Sequence, residues 1–336
     1  MAAALLFGMG TPLAKLLLND VNPWLLAGLL YLGSGLGLAI YRLMTNALPI
    51  KLSLAELCWF SGAIFAGGIV APVWLMWGLT RMPASAASLL LNMEGVLTVL
   101  LAWFAFKENF DRRIAIGMLA ILIGAVILSW PNKLSFASAL PTLAILGACF
   151  AWGIDNNLTR KVSLSDATWI ACFKGLVAGT VNLLLAFSLG ATLPTIPHLA
   201  AALVLGFLAY GVSLALFVLG LRHLGTARTG AYFSLAPFFG AILAIALGEP
   251  LTLPFLMAGI LMAIGIWLHL TEHHEHTHSH LPMQHAHEHT HDEHHQHEHE
   301  HPISPGIKHS HVHQHLALKH RHAHYPDAHH QHQHHS

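Results

Sequence analysis

Residues 84–108 read ASAASLLLNMEGVLTVLLAWFAFKE. Between Ala84 and Phe106 the only formally charged side chain is Glu94. A run of 18 or more apolar residues reads as a membrane helix, because about 20 residues at about 1.5 Å each cross the hydrocarbon core. This stretch is therefore a transmembrane span with an acid near its middle. An ionisable group at that depth costs at least ~2.5–3.5 kcal/mol on insertion scales, so Glu94 is a functional candidate from the outset.

Working outward in both directions, the same pattern recurs with barely room for loops. Ten spans are predicted, at about 2–18, 24–44, 56–79, 84–106, 112–130, 139–159, 166–189, 198–221, 227–247 and 251–270. The breaks carry turn or charge signals such as NDVNP, TRMP, KENFDRR, TRKVSLSD and GEP. Short cytoplasmic loops retain Lys and Arg. Arg42, Lys51, Lys107, Arg112, Arg113, Arg160, Lys161, Arg222 and Arg228 fall on one side, against Arg81, Lys133 and Lys15 on the other. Both termini are expected in the cytoplasm and the chain in the cell inner (plasma) membrane.

The whole-chain net charge of zero hides two populations. Residues 1–272 carry 13 Lys/Arg and 9 Asp/Glu; residues 273–336 carry 3 and 7, together with 26 of the 29 histidines. Cys58, Cys149 and Cys172 lie in apolar stretches with no metal-pair or disulfide spacing, and read as packing residues. The first apolar stretch runs on as the first span, so no cleavable signal peptide is expected. The abrupt start at MAAALLFGMG suggests that a few N-terminal residues are missing.

An internal repeat is visible. FGMGTPLAK (7–15) can be laid on WGIDNNLTR (152–160), which puts Trp24 on Trp169. GLTRMPASAASLLLNMEGVLTVLLAW (78–103) can be laid on GLRHLGTARTGAYFSLAPFFGAILAI (220–245). Five spans per copy force the second copy to enter the membrane from the opposite face, the arrangement of inverted-repeat transporters with a midplane site. The expected fold class is an all-α polytopic membrane protein with ten transmembrane helices in two inverted five-helix repeats, plus a disordered tail. The expected domains are 1–130, 139–270 and 273–336.

The run at 84–108, followed by RRIAIGMLAILIGAVIL (112–128), resembles the EamA-type domain of the drug/metabolite transporter superfamily. TARTGAYFSLAPFFGAILAIALGEPLT (226–252) resembles the matching segment of a second such domain. The resemblance covers residues 1–270 and rests on hydrophobic signatures. It implies ten helices in a five-plus-five arrangement and ion-gradient-driven export of small metabolites, amino acids or drugs. It brings no universal catalytic residue, and the histidine-rich tail departs from the family's usual short end.

Within the spans, Glu94 lies about 15 Å from its helix start. Burial there makes the charged form costly, which suits a proton-coupling carboxylate; a protonated acid acting as interhelical glue is the competing reading. At about 100° per residue Thr98 shares its face, with Asn92 and Ser85 turned away. Asp155, ahead of Asn156 and Asn157, and Lys174 on the next span are expected to pair across antiparallel helices, as a gate or substrate anchor or as a fixed bridge. Arg228 and Tyr232 share a helical face, with Arg228 read chiefly as a snorkelling topology determinant. The substrate or coupling candidates are thus Glu94, Thr98, Asp155, Asn157, Lys174, Arg228 and Tyr232. Pro12, Pro72 and Pro237 interrupt backbone hydrogen bonding, and Gly33 and Gly37 mark close helix packing.

No P-loop is present, so ATP is not the expected energy source. HExxH matches at 274–278, 287–291 and 297–301 are products of alternation in low-complexity sequence, and no enzyme is expected. The tail's low hydrophobicity predicts disorder. Its neutral imidazoles, represented by His285, His287, His289, His291, His294, His295, His297, His299 and His301, offer overlapping ligand sets for zinc, nickel or cobalt. No cofactor is required. The expected partners are a small-molecule substrate, the lipid bilayer and divalent metal ions, with a homodimer admissible and no nucleic acid. The primary reading is a metabolite exporter with a metal-binding tail. The alternatives are an exporter of the metal or its chelate, and a membrane-anchored metal buffer or sensor.

Overall fold

The computed structural model describes residues 1–47, 50, 52–106, 112–129, 136–162, 166–217, 219, 232–270, 275–280, 283–289, 309–315 and 318–323. The chain divides into two compact units, Met1–Glu272 and His273–Ser336.

The described part of the first unit is helical. Its elements are α1 (Ala2–Leu17), α2 (Pro23–Met44), α3 (Leu54–Ala63), α4 (Ala71–Leu79), α5 (Ala84–Leu90), α6 (Asn92–Phe106), α7 (Arg112–Ser129), α8 (Phe136–Arg160), α9 (Ala167–Ser188), α10 (Ile196–Gly206), α11 (Ala236–Ala246) and α12 (Leu253–Leu270). Local chemistry sets the boundaries. Asn22 accepts from the backbone N–H groups of Trp24 and Leu25, ahead of Pro23 in the first turn. Ser53 and Glu56 close a reciprocal capping box on α3. Gly190 (φ 84°) and Gly248 (φ 105°) supply the left-handed backbone just beyond α9 and α11.

Among the described residues, six helical stretches are long and apolar enough to cross a bilayer: Pro23–Met44, Leu54–Leu79, Ala84–Phe104, Ala139–Thr159, Ala167–Ser188 and Ile196–Phe217. Four shorter apolar helices accompany them, at Ala2–Leu17, Ala115–Leu128, Ala236–Ala246 and Leu253–Leu268. The unit is a polytopic membrane protein turned inside out relative to a soluble one. Leu36, Ile40, Phe65, Phe104, Ile242 and Trp267 are exposed, whereas Asp155, Asn157, Asn182, Ser34 and Ser88 are buried. Lipid tails are as apolar as these side chains, so burial of oily surface does not drive helix association here, and small residues allow close packing instead. Gly35 meets Gly175 backbone to backbone, and Gly179 meets Leu32 in the same way, bringing α2 and α9 together. Gly33 and Gly37 face Leu203 and Phe207 of the following span.

Two π-helical segments interrupt the bundle, Ile64–Val70 between α3 and α4, and Phe207–Val212 after α10. The register that lays 78–103 on 220–245 carries the first of them onto 206–212, within one residue of the second. Pro72 stands directly after the first segment, in the opening turn of α4. Pro237 occupies the opening turn of α11, directly after a turn at Ser234 and Leu235 that separates α11 from the helical residues Tyr232 and Phe233, so its span is interrupted there.

In the second unit the described residues form four short strands, β1 (Glu275–His280), β2 (Met283–His289), β3 (His309–His315) and β4 (Leu318–Ala323). β1 pairs with β4 and β2 with β3, both antiparallel. This differs from an all-α chain with a tail lacking regular structure. Histidine at every second position has the two-residue period of a strand, which is the physical reason for extended pairing over these stretches.

Candidate functional site

The site is built on α6, α8 and α9, with the first π segment packed beside them. Asn156, on α8, donates its side-chain amide to Glu94 Oε1 at 2.9 Å and to Thr98 Oγ1 at 3.2 Å. Glu94 and Thr98 are one helical turn apart on α6, so a single amide group bridges both. Asn156 is exposed, Glu94 is half-buried, and a Cβ added at Gly95 would meet nothing within 4 Å. The acid is therefore only partly enclosed by protein packing.

Asn157, the next residue on α8, is buried and serves a different purpose. Its amide donates to the backbone carbonyls of Thr98 (3.1 Å) and Gly153 (2.8 Å), fixing α8 against α6. Asp155 is buried and ion-paired to Lys174 on α9, with the two side chains 5% and 14% exposed. The Thr159 hydroxyl donates to the other Asp155 oxygen at 2.8 Å. Asp155 and Lys174 both act electrostatically on Glu94, so the three charges share one field.

The π segment explains why Asp155 fits. Its carboxylate lies against Gly67, where any Cβ would collide with it. The Ala71 N–H bonds the Ala66 carbonyl, and Pro72 has no N–H, so neither serves Gly67. The Gly67 carbonyl accepts instead from the Tyr31 hydroxyl at 2.6 Å and the Trp152 indole N–H at 3.0 Å. The neighbouring Gly68 carbonyl accepts from the Asn182 amide at 3.0 Å. Trp152 lies one turn before Asn156 on α8, which connects this lock to the Glu94 bridge. Tyr31 also touches the ring of Tyr210 in the second π segment, with centroids 5.5 Å apart.

Of the residues singled out in the sequence, Glu94, Thr98, Asp155, Asn157 and Lys174 come together here. Tyr232 stands apart, 41% exposed, shortly before α11. Arg228 lies outside the described residues. His285, His287 and His289 occupy alternate positions of β2, while His291, His294, His295, His297, His299 and His301 lie outside the described residues. Asn156, Tyr31, Trp152 and Asn182 were not singled out. Asn156 had a signal in the polar triplet DNN; the aromatic donors had none beyond the presence of Pro72.

At the N-terminal end of α9, about two turns before Lys174, Asp166 caps the helix by accepting from the backbone N–H of Thr168 (2.8 Å) and Trp169 (3.2 Å). Arg42 of α2 reaches the same carboxylate at 3.2 Å and the Thr168 hydroxyl at 2.7 Å.

Known proteins match this architecture. A transporter of Methanothermobacter thermautotrophicus is 28% identical over 290 residues, covering 79% of this chain and 83% of its own. A probable amino-acid metabolite efflux pump of Salmonella typhimurium is 28% identical, covering 79% of this chain and 91% of its own. A solved crystal structure superposes with a TM-score of 0.61 at 18% identity, over 81% of this chain and 99% of that one, a likeness of fold alone. These relatives are named as transporters or efflux pumps rather than enzymes. The EamA-like transporter family model matches twice, over residues 1–130 and 140–271, and the chain belongs to that family.

Proposed function

We propose that this transporter exports a small amino-acid-like or drug-like metabolite from the cytoplasm, drawing on a proton gradient through Glu94. The observation that carries the reading is the exposed Asn156 amide shared between the half-buried Glu94 and Thr98. A carboxylate that exchanges one proton while a neighbouring amide keeps its geometry has the properties a coupling group needs. Asp155 and Lys174 add a place for a zwitterion. An unpaired buried charge is costly, so neither member separates without a replacement. A solute carrying both an ammonium and a carboxylate supplies the two replacements at once. The set of one carboxylate, one carboxamide and a hydroxyl formed by Glu94, Asn156 and Thr98 suits an amine and lacks the imidazole or thiolate ligands that zinc, nickel or cobalt favour, which supports metabolite over metal cargo.

In this reading the ten apolar helices form two inverted five-helix repeats in the inner membrane, with both termini cytoplasmic. The two π segments at corresponding positions support the repeat. The tail acts as a cytoplasmic, pH-dependent reservoir for zinc, nickel or cobalt, because protonated imidazole cannot ligate.

The test is efflux from inside-out or right-side-out vesicles under an imposed pH gradient, scanning amino acids and amines. Wild-type protein should move at least one such solute with the gradient, and Glu94→Gln should abolish that movement while folding normally. Gradient-dependent export by Glu94→Gln at the wild-type rate would remove Glu94 from the mechanism.

A further inference from the structure

Glu249 belongs to the turn between α11 and α12, yet its carboxylate serves α5. Oε1 accepts from the Ala84 backbone N–H at 2.6 Å and Oε2 from that of Ser85 at 2.8 Å. α5 follows Pro83, which offers no side-chain cap, so these N–H groups depend on a partner from elsewhere in the chain. Gly248, with φ 105°, turns the backbone to deliver that partner. On the same end of the bundle the Lys15 ammonium donates to the Leu79 carbonyl at the end of α4, and Lys15 lies in the electrostatic field of Glu249. An anion thus sits at the start of α5 and a cation at the end of α4, each matched to the helix dipole it meets. Both contacts bracket the short connection between α4 and α5.

The two partners come from the two family-matched halves, since Ala84 falls in 1–130 and Glu249 in 140–271. Deeper in the bundle, Gly240 of α11 rests against Ser88 of α5 and Gly8 of α1. That contact joins α11 to α5 independently of Glu249.

We infer that Glu249 is a clasp between the two halves, holding shut the mouth of the passage at the end where α5 begins. The clasp is a positioning device, made of backbone hydrogen bonds that form only when the turn and the helix start are in register. The inference rests on the proposed transport reading, and deepens it by assigning one of the two gates.

The test uses full-length protein with Cys58, Cys149 and Cys172 changed to Ala and a reporter thiol at Gly95→Cys, where the side chain has room. A membrane-impermeant maleimide is added to the face that carries Ala84, and the rate of reporter alkylation is read. Joining Ala84→Cys to Glu249→Cys with a short reducible bis-thiol linker should lower that rate at least tenfold, and reductant should restore it. Glu249→Gln without the linker should raise the rate severalfold. An unchanged rate in the linked protein, or no labelling from that face in any state, would overturn the clasp. Normal gating of the reporter with no dependence of efflux on Glu94 would instead count against the coupling role alone.

Discussion

Pro72 has no amide proton to return to Gly67, and the Gly67 carbonyl is held by side chains from two other helices, Tyr31 of α2 and Trp152 of α8. A local defect in one helix thereby becomes a three-helix joint. The defect also clears the space against which the Asp155 carboxylate lies. Tyr31→Phe or Trp152→Phe alone leaves one donor on the carbonyl and should cost about 0.5–1.5 kcal/mol of stability. The double variant leaves a buried carbonyl bare and should cost more than the sum, which a double-mutant cycle on thermal unfolding in detergent would read. Strict additivity would mean that a water or another group replaces the donors.

The Asp155–Lys174 pair makes an asymmetric prediction. Asp155→Asn or Lys174→Met alone strands a buried charge and should destabilise by about 3–5 kcal/mol. The combined variant should be more stable than either single one, while still failing to export a zwitterion. Unfolding midpoints and vesicle efflux on the same three proteins separate the structural role from the transport role.

Asn156→Ala removes the bridge between Glu94 and Thr98 but leaves the packing of Asn157 intact. A hydrogen bond to a charged group is worth about 1.5–3 kcal/mol, so efflux should fall by about ten- to a hundredfold with little change in unfolding temperature. Equal loss of stability and efflux would assign Asn156 to the scaffold.

Asp166 gives a pH signature outside the spans. Partial burial pushes its carboxyl up, but the Thr168 hydroxyl, the backbone N–H groups of Trp169 and Thr168, and Arg42 together hold it below the ordinary aspartate value. Its contribution is therefore present above that ordinary value of about 3.9, and is lost as pH falls through the lowered folded value. Asp166→Asn should remove this acid-limb dependence while keeping much of the cap, whereas Asp166→Ala should cost about 1 kcal/mol at neutral pH. The ion pair with Arg42 is partly exposed and should add only a few tenths of a kcal/mol.

Deleting residues 273–336 should leave metabolite efflux intact and abolish high-capacity zinc or nickel binding. Titration calorimetry at pH 7 and pH 5 should show binding weakened at the lower pH, as protons compete for imidazole. Loss of efflux on deletion would mean that the tail takes part in transport.

The sequence made much of the membrane fold readable, because apolar runs and loop charges report physics that acts residue by residue. Glu94, Thr98, Asp155 and Lys174 were visible for the same reason, since polar groups stand out against hydrocarbon. Trp152 and Tyr31 did not stand out. An aromatic residue in a membrane helix looks like packing, and only the carbonyl left bare by Pro72 and the π turn gives it a polar task. Asn157 and Asn156 exchanged roles for a related reason: adjacent residues on a helix point about 100° apart, and the facing helix decides which one meets the acid. Glu249 was hidden because its partners are backbone groups 164 and 165 residues away.

The glycine seam between α2 and α9 has a mechanical meaning. Where Gly35 and Gly175 touch, no side chain is left to flex, so this line works like the spine of a book whose covers are the remaining helices. Leverage applied at the outer edges turns into rotation there instead of sliding. One added methyl at Gly175 would act as a wedge in the binding, felt farthest from where it was inserted.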